Sequence, residues 1–95
     1  MQGISIERSD ERQRYELTQD GELAGFAAFE EADGVVVFTH TIVLPAFEGR
    51  GFGSRLAAFA LGDVVERGLR FVPRCPFIAA YVRSHTEFEA SIARR

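Results

Sequence analysis

Two hydrophobic periods divide the chain. Up to Leu44 the apolar residues fall in short alternating runs, and from Gly51 onward they recur at steps of three and four. In the first part "ISIER" (4–8) reads as a short edge strand and "RQRYELTQ" (12–19) as a second strand. "ELAGFAAFEE" (22–31) and "VVVFTHTIVL" (35–44) follow, each entered through an Asp-Gly pair, Asp20-Gly21 and Asp33-Gly34. Asp-Gly between apolar-patterned runs is a strong hairpin signal, because both central positions accept positive φ. The expected product is an antiparallel meander. Its last strand is almost wholly apolar or β-branched, as in a strand covered on both faces.

In the second part Phe52, Leu56, Phe59, Ala60 and Val64 form a helical stripe over 51–67, which Gly68 ends. "LRFVPRC" (69–75) reads as a short strand stopped by its prolines, and Pro76 suits the first turn of a helix over "PFIAAYVRSH" (76–85). Thr86 and Glu89 have the spacing of a capping box, which predicts a last short helix running to the C-terminus. The order of strands, helix, strand and helix predicts one α+β domain over residues 1–95, a mixed and mostly antiparallel sheet with helices packed on it.

Composition narrows the function. A formal charge of −3 argues against a general binder of nucleic acid or anionic membrane. A lone cysteine excludes an internal disulfide and a cysteine-rich zinc site and fits a reducing compartment. The start of the chain lacks the apolar core of a signal peptide, and no apolar run is long enough to span a bilayer. A soluble, cytoplasmic protein is expected, monomeric or weakly dimeric, with no metal.

The candidate chemistry lies at the junction of the two periods, where "GRGFGS" (49–54) places three glycines around an arginine at a helix start. Glycine is costly there, so the turn needs unusual torsions or something must approach the backbone closely. The first N–H groups of a helix have no intrahelical partner, and bare backbone at Gly49, Gly51 and Gly53 suits an anion such as a diphosphate, with Arg50 at the mouth. A Walker A loop is excluded, because no Gly-Lys-Ser/Thr follows; Leu56 stands where a dinucleotide fingerprint requires a third small residue. A tight turn that only packs the helix on the sheet is the structural alternative.

Residues 40–88 resemble the compact GCN5-related N-acetyltransferase-like proteins, a small branch of the GNAT superfamily. The diphosphate-loop frame of that superfamily, Arg/Gln-x-x-Gly-x-Gly/Ala, falls on Glu48, Gly49, Arg50, Gly51, Phe52 and Gly53. A second marker is Arg74-Cys75-Pro76-Phe77, followed by Tyr81-Val82-Arg83-x-His85. Glu48, Ile42 and Thr86 depart from the branch pattern, which has Arg or Gln, an acid and a proline there. The resemblance implies a GNAT-like acyl-CoA N-acyltransferase fold and acetyl-coenzyme A as co-substrate, with an unidentified amine as acceptor. It also implies that amides of Arg50, Gly51, Phe52, Gly53 and Ser54 hold the diphosphate, beside Gly49, and that backbone groups of Ile42, Val43 and Leu44 hold the pantetheine arm.

Three side chains are catalytic candidates. His40 is the natural general base, set on a strand face shared with Val36, Phe38, Ile42 and Leu44; a hydrogen-bonded core histidine is the other reading. Cys75, just before a helix, is an acetyl-carrying nucleophile, a thioester contact or a small buried hydrophobe. Tyr81 is a proton donor to the leaving thiolate by resemblance, or a core residue at helical spacing from Phe77. His85 has the position of a cation that caps the last carbonyls of its helix. Direct attack by the amine in a ternary complex is the expected route, and a non-catalytic coenzyme-binding module is the alternative.

Overall fold

A computed structural model of the chain describes residues 3–93. Five strands, β1 (Ile4–Ser9), β2 (Arg14–Gln19), β3 (Glu22–Ala32), β4 (Val35–Val43) and β5 (Arg70–Pro73), form one sheet in chain order. The first three pairings are antiparallel and β4–β5 is parallel. Both hairpin turns have left-handed central residues, with φ of 53° and 84° at Asp20 and Gly21 and 54° and 78° at Asp33 and Gly34. The parallel pair requires a crossover, and α1 (Phe52–Glu66) supplies it. Helix α2 (Pro76–Ser84) follows β5 with proline in its first turn.

One sheet face carries the core. Tyr15, Leu17, Ala27, Phe29, Val36, Phe38 and Phe71 are buried there against Leu56, Ala57, Ala60, Leu61 and Val64 of α1 and Ile78 and Val82 of α2. Phe59 lies outside this stripe, 41% exposed, with its ring edge-on to Tyr15 at 6.1 Å. A step of 100° past the buried Ala60 row carries position 59 to the helix margin, so the stripe is narrower than its apolar residues suggest.

The expectation that the last meander strand is covered on both faces is corrected. Only Val36 and Phe38 of β4 are buried, and no residue from 39 to 43 is. Among the described residues no helix lies over the opposite face of the sheet, where Arg14, Glu16, Thr18, Phe26 and Ala28 remain half-buried. The last short helix also differs. Thr86–Ser91 forms 3-10 turns, and no side-chain cap closes its start. The chain then turns back to β5, where Ile92 bridges Phe71 and the Ala93 N–H donates to the Phe71 carbonyl at 2.7 Å. The expected end of that helix, Arg94 and Arg95, lies outside the described residues.

At the end of the sheet away from the glycine loop, charged groups tie α1 to the meander. Arg8 lies over the Phe29 ring at 4.5 Å and donates to the Tyr15 oxygen, while the Tyr15 hydroxyl donates to Asp63 at 2.7 Å. Burial and the bond to Asp63 push the Tyr15 pKa above its ordinary value, although Arg8 opposes the rise. Burial alone pulls the Arg8 pKa down, but its bonds to Asp10, Glu31 and Tyr15 outweigh burial and raise it. Among the described residues, no buried side-chain nitrogen or oxygen lacks a hydrogen-bond partner.

Candidate active site

The site begins with a bulge. Ala28 pairs with His40 and Phe29 pairs with Phe38, so Thr39 is left opposite no residue. One extra residue exchanges the two faces of every position beyond it. Val36 and Phe38 face the core; past the bulge, Thr41 and Val43 take that side and His40 and Ile42 turn to the open face. His40 therefore does not share a face with Val36 and Phe38. It is exposed, with its ring edge-on to Phe26 at 6.0 Å and Nδ1 3.2 Å from the Thr39 hydroxyl. A core histidine is excluded at this position.

Pairing between β4 and β5 stops at the same level. The parallel ladder runs from Val35–Arg70 to Phe38–Pro73, and the Cys75 N–H then donates to the Phe38 carbonyl at 2.9 Å. Beyond it, β4 continues to Val43 paired only to β3. Among the described residues its other edge is unpaired, as a ligand that pairs like a strand requires. Gly25 of β3 permits the close approach on the paired side, since a Cβ there would stand 2.6 Å from the Ile42 carbonyl oxygen. Cys75 is 2% exposed at the inner end of the opening, and the Thr41 hydroxyl lies 3.4 Å from its Sγ.

Past Leu44 the chain makes a 3-10 turn, Pro45–Phe47, and enters the glycine loop. Gly49 and Gly51 have φ of 83° and 76°, and a Cβ at either would meet nothing within 4 Å. These two glycines answer a torsional demand and leave open space above the backbone. Gly53 has a different reason: a Cβ there would lie 2.9 Å from Cζ of Phe77. Among the described residues, the N–H groups of Gly49, Arg50 and Gly51 meet no backbone acceptor. The α1 ladder begins with Arg55 N–H donating to Gly51, so the amides of Phe52, Gly53 and Ser54 are its unpaired first turn. No side chain caps this start and no acid sits in its first turn. The Arg50 guanidinium is turned away, donating to Gln19 at 2.6 Å and lying over the Phe47 ring. The loop offers main-chain donors, and the helix dipole adds to them.

A cleft of about 220 Å³ opens at this place, lined by Val43, Phe47, the glycine loop, Ser54 and Phe77. Phe77, 41% exposed, separates it from a second groove of about 230 Å³ lined by Ser54, Ala80, Tyr81, Ser84 and His85. Tyr81 and His85 stack there face to face, with centroids 3.8 Å apart and an interplanar angle of 6°. The structure thus brings Val43, the loop glycines and Ser54 around one cleft and sets Tyr81 in the adjoining groove. His40 and Cys75 fall on opposite sides of β4. Thr41 completes these surroundings, and only a strand face counted through the bulge points to it; Phe77 and His85 stand in the second sequence marker, His85 there as a helix-end cap, and both line the grooves.

A mixed sheet whose parallel strands part beside a helix start of unpaired amides is the architecture of the acyl-coenzyme A N-acyltransferases. A family model described as GCN5-related N-acetyltransferase matches residues 14–92, and the chain belongs to that family. The ribosomal-protein-S18-alanine N-acetyltransferase of Escherichia coli has a similar fold, with a TM-score of 0.61 and 23% sequence identity. The match covers 84% of this chain and 54% of that one, so the chain spans about half the length of that solved structure. Among curated proteins, none matches this chain.

Proposed function

We propose that the protein transfers an acetyl group from acetyl-coenzyme A to a primary amine, by direct attack in a ternary complex. One observation carries this: unpaired N–H groups of the glycine loop line a cleft that continues into the unpaired edge of β4. When bound, acetyl-coenzyme A supplies an acyl group activated as a thioester. The amides of Arg50, Gly51, Phe52, Gly53 and Ser54, with Gly49 clearing the approach, are the groups that hold its diphosphate. Backbone groups of Ile42, Val43 and Leu44 hold the pantetheine arm as one more strand.

His40, exposed beside Phe26 at the level of the bulge, orients the incoming amine. Tyr81 protonates the leaving thiolate. Cys75 forms a wall of the opening: a thiol that is 2% exposed and touched by Thr41 is poorly placed as an acetyl carrier. A non-catalytic coenzyme-binding module is the second reading, favoured by the absence of an assembled pair between His40 and Cys75. Among the described residues no helix is long and apolar enough to cross a membrane; the setting we propose is the cytoplasm.

Calorimetry with acetyl-coenzyme A tests binding, and thiol release with an amine panel that includes an N-terminal-alanine peptide tests transfer. Heat with thiol release is expected. Heat without release across the panel supports the binding module, and absence of heat removes both readings.

A further inference from the structure

We infer that His85, at the end of α2, is the general base that takes the proton of the acceptor amine; this rests on the acetyl-transfer reading above. The inference starts from a hydrogen bond. Nδ1 of His85 lies 2.9 Å from the Tyr81 carbonyl oxygen. A carbonyl only accepts, so Nδ1 carries the hydrogen, and the lone pair of the neutral ring is on Nε2. Nε2 sits on the far edge of the ring, away from that carbonyl, and no acceptor or donor among the described residues meets it. Face-to-face stacking on Tyr81 fixes the ring plane. His85 lines the groove that adjoins the coenzyme cleft across Phe77, together with the hydroxyl-bearing Ser54 and Ser84. A fixed tautomer, a fixed plane and a lone pair without a protein partner are what proton abstraction requires.

Charged and titratable groups on α2 and the elements packed against it are His40 in β4, Arg55, Asp63 and Glu66 in α1, Arg70 in β5, Tyr81 and Arg83 in α2, and Glu87 and Glu89 in the 3-10 turns. Of these, the His85 ring contacts Tyr81. The two stacked side chains then divide the proton work. His85 Nε2 takes one proton from the amine nitrogen as that nitrogen bonds to the thioester carbonyl carbon. Tyr81 gives its hydroxyl proton to the sulfur as the carbon–sulfur bond breaks with its electron pair on sulfur. Solvent returns the proton of His85 to Tyr81, leaving an amide and a free thiol. His40 keeps a positioning role on the open face.

Long-range proton–nitrogen NMR of the histidine rings in the full chain is the test, with and without acetyl-coenzyme A. The expected free state has His85 protonated at Nδ1 and bare at Nε2, and the Nε2 resonance shifts when acetyl-coenzyme A binds. A neutral ring protonated at Nε2, or an Nε2 signal unmoved in a complex that calorimetry shows to be formed, overturns the assignment. Absence of calorimetric heat overturns the coenzyme reading itself, whatever the tautomer, and the base with it.

His85→Asn retains an amide donor for the Tyr81 carbonyl and removes the lone pair. With an N-terminal-alanine peptide as acceptor, it is expected to lower kcat by roughly 100-fold. The KM for acetyl-coenzyme A stays unchanged and the acidic limb of the pH–rate profile disappears. An intact acidic limb in His85→Asn contradicts the role.

Discussion

Residues 35–38 and 39–43 of β4 are consecutive pieces of one strand placed in different surroundings. The first piece is paired on both edges and contributes Val36 and Phe38 to the core. The second is paired on one edge, contributes no buried side chain and borders the cleft through Val43. What separates them is one unmatched residue, Thr39, together with the early end of β5 at Pro73. A strand can therefore be framework and site in turn: satisfied hydrogen bonds and burial stabilise the first piece, while unsatisfied groups make the second available to a ligand. Composition follows this division in part, since residues 35–38 are all apolar while Thr39, His40 and Thr41 open the second piece.

Substitutions can probe the contrast. Phe38→Ala should remove about 3–5 kcal/mol of folding free energy, because a fully buried ring is replaced by a cavity. Ile42→Ala, four residues along the same strand and 40% exposed, should cost less than about 1 kcal/mol. Equal losses in denaturant titrations would contradict the division.

Gly51→Val acts on the site half. A branched side chain at φ of 76° strains the turn and fills the open space over the loop amides. Affinity for acetyl-coenzyme A should fall at least roughly 100-fold, about 2.7 kcal/mol, with the fold retained. Near-normal calorimetric affinity in a folded variant would remove the loop from the site.

Tyr15→Phe tests the saturated end of the molecule and should cost about 1–3 kcal/mol, because Asp63 and Arg8 lose a buried partner. The raised Tyr15 pKa also has a pH consequence. The folded state favours the neutral phenol, so this contribution is complete below about pH 10 and is lost as the pH climbs toward the raised value. Wild type should lose stability above pH 10 more steeply than Tyr15→Phe does; parallel alkaline curves would contradict the linkage.

Cys75→Ala should have the smallest effect on chemistry. Acetyl transfer persists within about threefold if the amine attacks directly, since only a wall group is trimmed. Loss of turnover, with an acetyl adduct on wild-type Cys75 by mass spectrometry, would restore the covalent route.

Much of the fold was legible because the signals are local. Asp20-Gly21 and Asp33-Gly34 encode their turns in their own torsions, and the α1 period needs only residues within the helix. The bulge was not legible: whether Thr39 is matched depends on where Ala28 and Phe29 of β3 pair. Counting every second residue from Val36 thus placed His40 on the wrong face. Phe59 shows a similar limit, since apolar character does not say how wide the covered stripe is. In the site, Gly49 and Gly51 carried the open turn, whereas Gly53 is explained by the Phe77 ring, which no short-range pattern announces. The stacking of His85 on Tyr81 follows from the way α2 ends, whereas the bond of its Nδ1 to the Tyr81 carbonyl is the helix-end contact that its position announced.

A crystal structure grown with saturating acetyl-coenzyme A tests the central claim most directly. The account predicts a diphosphate on the N–H groups of residues 50–54 and a pantetheine arm paired to the open edge of residues 42–44. A coenzyme bound elsewhere, with these main-chain groups still facing solvent, would contradict it.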